Sequence, residues 1–128
     1  ATSLCLVAVP GDNPDGAAVQ QAPCAATPEQ RWRLDGDAAA VTVVNAATGQ
    51  CLDVSGGQSG DGVPVVLWRC EDAPHQRWRV EPAGDVLALI SASTGKCLDV
   101  PGARAEAGLQ MQQYGCNGTP AQRWSHGQ

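Results

Sequence analysis

The chain has 128 residues, which is the size of one ordinary domain. Its net charge of −5 at pH 7 argues against nucleic acid or an anionic membrane as a partner, because both attract a basic face. With 15 glycines and 9 prolines, it favours turns and short strands over helices, and no apolar run approaches the length of a membrane span. No secretory signal is visible at Ala1, so we expect a mature chain or an excised domain.

One pattern occurs three times in the sequence. The copies begin with Cys-Leu at positions 5, 51 and 97, a constant difference of 46 residues, and each ends in Gln-Arg-Trp. A fixed period of this size indicates one supersecondary unit that cannot bury its apolar face alone. We therefore expect a single domain over 1–128, with repeats at approximately 1–46, 47–92 and 93–128.

Taken in chain order, the predicted strands are short and fall at equivalent places in the repeats. Leu6 and Val9 flank the first, and apolar, β-branched runs predict others at 38–45 and 86–90. Alternation along the second repeat places Val65 and Leu67 on one face and Val66 and Trp68 on the other. The same parity in the third repeat directs Met111 to the core and Gln112 and Tyr114 outward.

Each unit therefore contains about four strands, and three such units predict an all-β fold with pseudo-threefold symmetry, a β-trefoil. A β-propeller is the main alternative for this period, but it needs about four or more blades to close. No equivalent of the strands at 38–45 and 86–90 precedes Cys5. We therefore expect the first repeat to lack its leading strand, which upstream residues of a longer parent chain would supply.

The six cysteines form three equivalent pairs without the close Cys-x-x-Cys spacing of zinc sites. The repeat favours bridges within each unit, namely Cys5–Cys24, Cys51–Cys70 and Cys97–Cys116. A ring-wise pairing of Cys24 with Cys51, Cys70 with Cys97 and Cys116 with Cys5 also respects the symmetry. Either pattern predicts an oxidising, secreted environment, and no metal or cofactor site is indicated.

The aromatic residues divide into two groups. Three of the four tryptophans close the repeats, and we expect these to be core residues: Trp32, Trp78 and Trp124. The remaining aromatics, Trp68 and Tyr114, are 46 residues apart and precede the second cysteine by two positions, where the first repeat has Ala22. An exposed ring at a position that varies in this way offers a flat apolar face, which suits the C–H face of a sugar.

A carboxylate varies together with these rings. Asp53 and Asp99 follow Cys-Leu in the second and third repeats, where the first repeat has Val7. A carboxylate can accept hydrogen bonds from neighbouring sugar hydroxyls, and such charge-assisted bonds are the stronger kind. The aspartate and the ring are present together in two repeats and absent together in the first. This pattern favours two sugar sites over aspartates that only cap turns.

These motifs resemble the ricin-type β-trefoil lectins, also called Q-x-W domains or family 13 carbohydrate-binding modules. The similar segments are CLDV at 51–54 and 97–100, VVLWRC at 65–70, QQYGC at 112–116 and the three QRW triplets. The resemblance covers essentially the whole chain. It implies one shallow sugar site per competent repeat and favours galactose- or xylose-type sugars, carried by a polysaccharide or glycan that can engage more than one site.

Carried over position by position, the resemblance implies two sites. The second repeat would use Asp53, Trp68, Glu71, His75 and Gln76. The third repeat would use Asp99, Gln112, Tyr114, Asn117 and Gln122. The first repeat departs from the family pattern at Val7, Ala22 and Glu29 and is expected to bind nothing.

Catalysis by this chain is not expected. The only histidines are His75, which belongs to an expected sugar site, and His126, the third residue from the end. Asp53 and Asp99 lie in different repeats, not across one sugar bond as in a glycosidase. The chain could instead be the targeting module of a larger secreted glycoside hydrolase or protease. The alternative function is a protein-interaction or inhibitory β-trefoil, which predicts one large asymmetric patch.

Overall fold

In the computed structural model, the chain forms short antiparallel strands joined by tight turns. The structure describes residues 5–9, 16–37, 39–71, 73–84, 86–103 and 108–125, so His126 and the residues before Cys5 lie outside it. Eleven strands occur in these ranges: β1 (Cys5–Val9), β2 (Ala17–Ala22), β3 (Trp32–Asp35), β4 (Thr42–Asn45), β5 (Cys51–Val54), β6 (Val65–Trp68), β7 (Trp78–Ala83), β8 (Val86–Ser91), β9 (Cys97–Asp99), β10 (Gln112–Tyr114) and β11 (Trp124–Ser125).

The strands pair antiparallel in two sheets. One sheet has the order β1-β2-β6-β5-β4-β3, and the other has the order β10-β9-β8-β11 with β7 also paired to β8. Isolated bridges join the two sheets: Gln20 to Gln110, Val41 to Trp78, and Pro64 to Gln112. Consecutive repeats are therefore held together by backbone pairing as well as by their shared core.

If β4 and β8 are counted as the leading strands of the second and third repeats, the three repeats contribute three, four and four strands, and the fold is a β-trefoil. Trp78 pairs with Val41, and Trp124 pairs in the same way with Leu87. Among the described residues, no strand takes the corresponding place beside Trp32.

One predicted strand begins later than expected. The apolar run at 38–45 becomes strand β4 only from Thr42, because the chain first turns, with the Ala40 N–H donating to the Asp37 carbonyl at 2.8 Å. Alanine is depleted in strands, so the three alanines at the start of this run do not favour extended structure. The later valines and threonine do favour a strand.

The core is formed by the inward positions of all three repeats. Leu52, Leu67, Leu98 and Met111 are fully buried, which confirms the predicted alternation of β6 and the inward position of Met111. The outward positions Val66 and Gln112 are partly buried. The fold therefore separates an apolar interior from an outer face on each hairpin.

The three repeat-closing tryptophans have a common hydrogen bond. Each indole N–H donates to the carbonyl of the leucine after the first cysteine: Trp32 to Leu6 at 3.2 Å, Trp78 to Leu52 at 3.2 Å and Trp124 to Leu98 at 3.3 Å. Trp78 and Trp124 are 0% and 6% exposed, while Trp32 is only partly buried but packs against the same core. These residues are framework, as predicted.

The disulfides join cysteines within each repeat, which excludes the ring-wise pairing. The bridges are Cys5–Cys24, Cys51–Cys70 and Cys97–Cys116, with Cα–Cα distances of 5.0, 5.1 and 5.1 Å. Each ties the start of a hairpin to the segment after its second strand. That segment leads directly into the turn that carries the Gln of Gln-Arg-Trp.

Short 3₁₀ turns complete the repeats. In the described ranges they are Pro28–Gln30, Ser55–Gly57, Pro74–Gln76, Pro101–Ala103 and Pro120–Gln122. Three of them begin with proline and end with the glutamine of the repeat motif, because proline's fixed φ favours the first helical position. None of these helical turns is long or apolar enough to cross a membrane.

Candidate functional site

The second repeat forms an open cleft beside the β5–β6 hairpin. Asp53 lies opposite Val66 in the strand register, and Trp68 lies two residues further along the same face of β6. The cleft has a volume of about 390 Å³. Its lining consists of Gly16, Asp53, Ser55, Val66, Trp68, Arg69, Glu71 and His75. The structure therefore brings together four of the five residues predicted for this site, and the fifth, Gln76, lies directly beneath.

The carboxylate of Asp53 is buried and held at both oxygens. Oδ2 accepts a hydrogen bond from Gln76 Nε2 at 2.8 Å, and Oδ1 lies 2.8 Å from His75 Nδ1. Because an ionised carboxylate can only accept, His75 Nδ1 is the donor in this contact. Asp53 is only 3% exposed, and its two hydrogen-bond partners fix the direction of its carboxylate before any ligand binds.

Gln76 is the residue that connects this carboxylate to the disulfide-bonded segment. Its Nε2 also donates to the Arg69 carbonyl at 3.0 Å, and its Oε1 accepts from the Glu71 N–H at 2.7 Å. The side chain is fully buried, so its amide is used within the protein. Gln76 therefore positions the site from below.

Glu71 lies at the outer rim of the same cleft. Its carboxylate is paired with the guanidinium of Arg69, with an Nε–Oε1 distance of 3.2 Å, and both side chains are exposed. An exposed pair of this kind contributes little to stability. Its significance is that it places one positive and one negative group at the mouth of the cleft.

The third repeat repeats the arrangement with different polar residues. Asp99 Oδ2 accepts from Gln122 Nε2 at 2.8 Å, and Asp99 Oδ1 accepts from Gln112 Nε2 at 3.2 Å. Tyr114 is 43% exposed and Asn117 stands across from it, with its Oδ1 accepting from the Thr119 N–H and hydroxyl. This cleft has a volume of about 300 Å³. It is lined by Asp99, Val100, Gly102, Gln112, Tyr114, Asn117, Thr119 and Ala121.

The first repeat keeps the framework but lacks the carboxylate. Gln30 Nε2 donates to the Pro23 carbonyl at 2.9 Å, and Gln30 Oε1 accepts from the Ala25 N–H at 2.6 Å. These are the contacts that Gln76 makes around its own second cysteine. Val7 takes the place of the aspartate and Ala22 that of the ring, and both side chains are partly buried, with Gln20 opposite Val7 in the strand register.

Sequence reasoning missed one wall of the second cleft. Gly16 comes from the first repeat, and its N–H donates to the Leu67 carbonyl at 2.7 Å with φ at +86°. A Cβ placed there would lie 3.9 Å from Cζ3 of Trp68, so the glycine lies against the ring. Gly62 and Gly108 follow at the same 46-residue spacing, each with φ at +85°, and that repetition was a usable signal.

A second missed feature lies beside Tyr114. Asp61 Oδ1 in the second repeat is 2.9 Å from Lys96 Nζ and accepts from the Gly115 N–H at 2.9 Å. The pKa of the Asp61 carboxyl is lowered, most strongly by the hydrogen bond from Lys96 and next by the one from the Gly115 N–H. No local sequence motif predicts this contact, because Asp61 is far from Lys96 and Gly115 in the sequence.

The chemistry available in both clefts is hydrogen bonding and stacking. A prearranged carboxylate, neighbouring polar side chains and one aromatic ring surround each space. Within the described residues, no group of three or more His, Cys, Asp or Glu side chains is arranged to hold a metal ion.

Solved structures show the same fold. ThreeFoil, a designed 3-fold symmetric protein, superposes with a TM-score of 0.92 at 28% identity, covering 97% of this chain and 90% of that chain. The hemolytic lectin CEL-III gives 0.79 at 30% identity, covering 97% of this chain and 27% of its own. An exo-β-1,3-galactanase from Clostridium thermocellum, 1,3Gal43A, gives 0.81 at 26% identity, covering 85% of this chain and 24% of its own.

The chain thus spans about a quarter of the length of the last two proteins. No curated protein matches it in sequence. Residues 1–124 match the family model described as a ricin-type beta-trefoil lectin domain. Because that match covers nearly the whole chain and the fold agrees with it, the protein belongs to the ricin-type β-trefoil lectin domain family.

Proposed function

We propose that this chain binds carbohydrate without catalysis, through the clefts of its second and third repeats. The observation that carries the proposal is the repeated unit of an aspartate, a buried glutamine and an aromatic ring that lines the cleft. Asp53, Gln76 and Trp68 form it once, and Asp99, Gln122 and Tyr114 form it again. The first repeat keeps only the glutamine, so we propose no site there.

The binding mode follows from the chemistry of a sugar ring. One face of a pyranose carries C–H groups that pack on Trp68 or Tyr114. The ring hydroxyls on the opposite edge then meet the aspartate, whose remaining lone pairs accept their hydrogens. Galactose-type sugars are favoured because their axial hydroxyl leaves one continuous apolar face, and xylose-type sugars because they lack a bulky exocyclic group.

The neighbouring proteins support this sugar class. CEL-III is a lectin, and 1,3Gal43A is a galactanase. We propose that this chain acts on the outside of cells, since three disulfides require an oxidising environment to persist. A role as the targeting module of a larger secreted hydrolase fits the same chemistry.

Each cleft is shallow, so binding of one monosaccharide should be weak, roughly millimolar. Two clefts on one rigid body can engage one polysaccharide and gain avidity of about 10²-fold if their spacing matches the polymer. A polymer carrying galactose or xylose residues is therefore a better ligand than the free sugar.

The test is a titration of wild type, Trp68→Ala, Tyr114→Ala and the double variant with soluble galactose, xylose and their polymers. Each single variant should keep one of two sites and lose most of the polymer avidity, and the double variant should lose both while staying folded. Leu34→Ala is the control, because Leu34 is 40% exposed, similar to Tyr114, and lines neither cleft.

Polymer binding by the double variant at the wild-type level would refute the site assignment. It would favour the alternative, in which another face of the trefoil binds a protein partner.

A further inference from the structure

The two clefts hold their aspartates with different second partners. The first partner is the same in both, a buried glutamine that donates to Oδ2 at 2.8 Å. The second partner at Oδ1 is His75 Nδ1 for Asp53, at 2.8 Å, and Gln112 Nε2 for Asp99, at 3.2 Å. The same requirement, a donor for the outer carboxylate oxygen, is thus met by an imidazole in one cleft and an amide in the other.

These partners come from different elements. Gln112 lies on β10 directly opposite Asp99, in the register position that Val66 holds opposite Asp53. His75 belongs to the 3₁₀ turn before β7, where the third repeat has the buried Ala121. The second and third repeats therefore each have one donor and one apolar residue at these two positions: the donor is on the 3₁₀ turn in the second repeat and on the strand in the third.

The second cleft is shaped for the imidazole. Gly57, with φ at +67°, lies against the ring, and a Cβ there would be 3.5 Å from Cδ2. The His75 side chain is 31% exposed while its partner carboxylate is 4% exposed. The ring is therefore fixed on its inner side, by Asp53 and Gly57, and open to the cleft on its outer side.

We propose that His75 is the positioning residue of the second cleft, equivalent to Gln112 in the third, and that it makes sugar binding acid-sensitive in the second cleft alone. This inference rests on the proposed function. Imidazole is the side chain that changes charge between pH 5 and 8, and an amide does not titrate. The two clefts, otherwise so similar, thus respond differently to acid.

The direction of the response follows from the tautomer. With Nδ1–H donated to Asp53, the neutral ring has its lone pair on Nε2, which can accept from a sugar hydroxyl in the cleft that His75 lines. Protonation removes that acceptor and draws the charge of Asp53 toward the imidazolium, and a bound sugar then covers a charged ring. The other charged groups facing this ring across the cleft, Glu71 and Arg69, are paired with each other. Acidification therefore weakens the second cleft.

The experiment uses Tyr114→Ala as the parent, so that galactose or xylose titration reports the second cleft alone. His75→Ala should weaken binding about tenfold at pH 8, the order expected for losing a hydrogen bond to a charged group. His75→Ala combined with Val66→Gln rebuilds the third-repeat arrangement and should regain most of that loss. The parent should lose affinity from pH 8 to pH 5, and the rebuilt variant should not. Trp68→Ala in the wild-type background, which leaves only the third cleft, should bind equally at both pH values.

Two results would overturn the inference: no recovery in a folded His75→Ala/Val66→Gln variant, or an unchanged affinity of the parent at pH 5. If the wild type binds neither sugar at any pH, the proposed function fails, and the positioning role is tested without sugar. A long-range ¹H–¹⁵N spectrum of the wild type, with the His75 signals identified by their loss in His75→Ala, should show the Nδ1–H tautomer. The Nε2–H tautomer would contradict the role of His75 in holding Asp53.

Discussion

The repeated glutamine offers a controlled measurement of what one buried carboxylate contributes to this fold. Gln30 and Gln76 make equivalent contacts around the second cysteine, each donating to one backbone carbonyl and accepting from one N–H. Gln76 makes one further bond, to Asp53, where the first repeat has Val7. The two glutamines are 7% and 0% exposed, so both are buried in similar surroundings.

Replacing either glutamine by alanine removes the two shared hydrogen bonds and leaves their backbone partners without a protein donor or acceptor. We expect this to cost about 2–4 kcal/mol in either repeat. In the second repeat, Asp53 also loses its donor at Oδ2, and a bond to a charged group contributes about 1.5–3 kcal/mol. Gln76→Ala should therefore be more destabilising than Gln30→Ala by about 1.5–3 kcal/mol.

The measurement is guanidinium unfolding of both variants with the disulfides intact, followed by fluorescence and by circular dichroism to confirm a two-state transition. Gln122→Ala is an independent repeat of the experiment, because Gln122 makes the same bond to Asp99. Asp53→Val supplies the control, since it gives the second repeat the residue of the first. In the Asp53→Val background, Gln76→Ala should lower the free energy of unfolding by no more than Gln30→Ala does. Equal costs of the two substitutions in the wild-type background would refute the argument that the aspartate depends on this glutamine.

Two further predictions concern the fold. Trp78→Ala should cost about 3–5 kcal/mol, the range for a large buried ring, and Trp32→Ala less, because Trp32 is only partly buried; equal losses in urea unfolding would contradict the difference in packing. Asp61→Asn should lower the melting temperature at pH 7, because the lowered pKa of the Asp61 carboxyl means that its ionised form stabilises the folded state. That stabilisation is present above the unfolded-state pKa of about 4 and disappears as the pH falls through the folded-state value, so the two melting temperatures should converge below pH 4. A gap that persists at pH 3 would show that Asp61 acts by some means other than its charge.

Regular features were predictable from the sequence because they repeat. The 46-residue period identified the fold and the disulfides, and it separated the framework tryptophans from Trp68 and Tyr114. Repetition acts as an internal alignment: a residue kept in all three copies serves the shared fold, and one that varies between copies is free for another role. Gln30 illustrates this, since it persists where the aspartate is absent and its contacts are all internal.

The hydrogen-bond partners of the two aspartates could not be predicted from the sequence. His75 and Gln112 were both recognisable as site residues, but their common role depends on which side chain reaches Oδ1, and that is decided by strand register and turn geometry. The contact between Asp61 and Lys96 was equally hidden, because it joins the surfaces of two repeats. Periodicity identifies equivalent positions, whereas it says nothing about contacts that break the equivalence.

The residues that hold the fold together are different from those that face the clefts. The first repeat can therefore lack the aspartate and the ring while the fold is kept. In each unit the disulfide closes the hairpin, and the tryptophan indole and the glutamine amide bond to backbone groups of the same repeat, so these contacts form with or without a carboxylate. Valine at position 7 needs no donor, and Gln30 simply makes one bond fewer than Gln76. Conversely, an aspartate introduced at position 7 would find the amide of Gln30 in place and Gln20 opposite it, in the register position of Gln112, and what it would lack is the aromatic ring. The fold and the candidate site are thus linked at one residue, the glutamine.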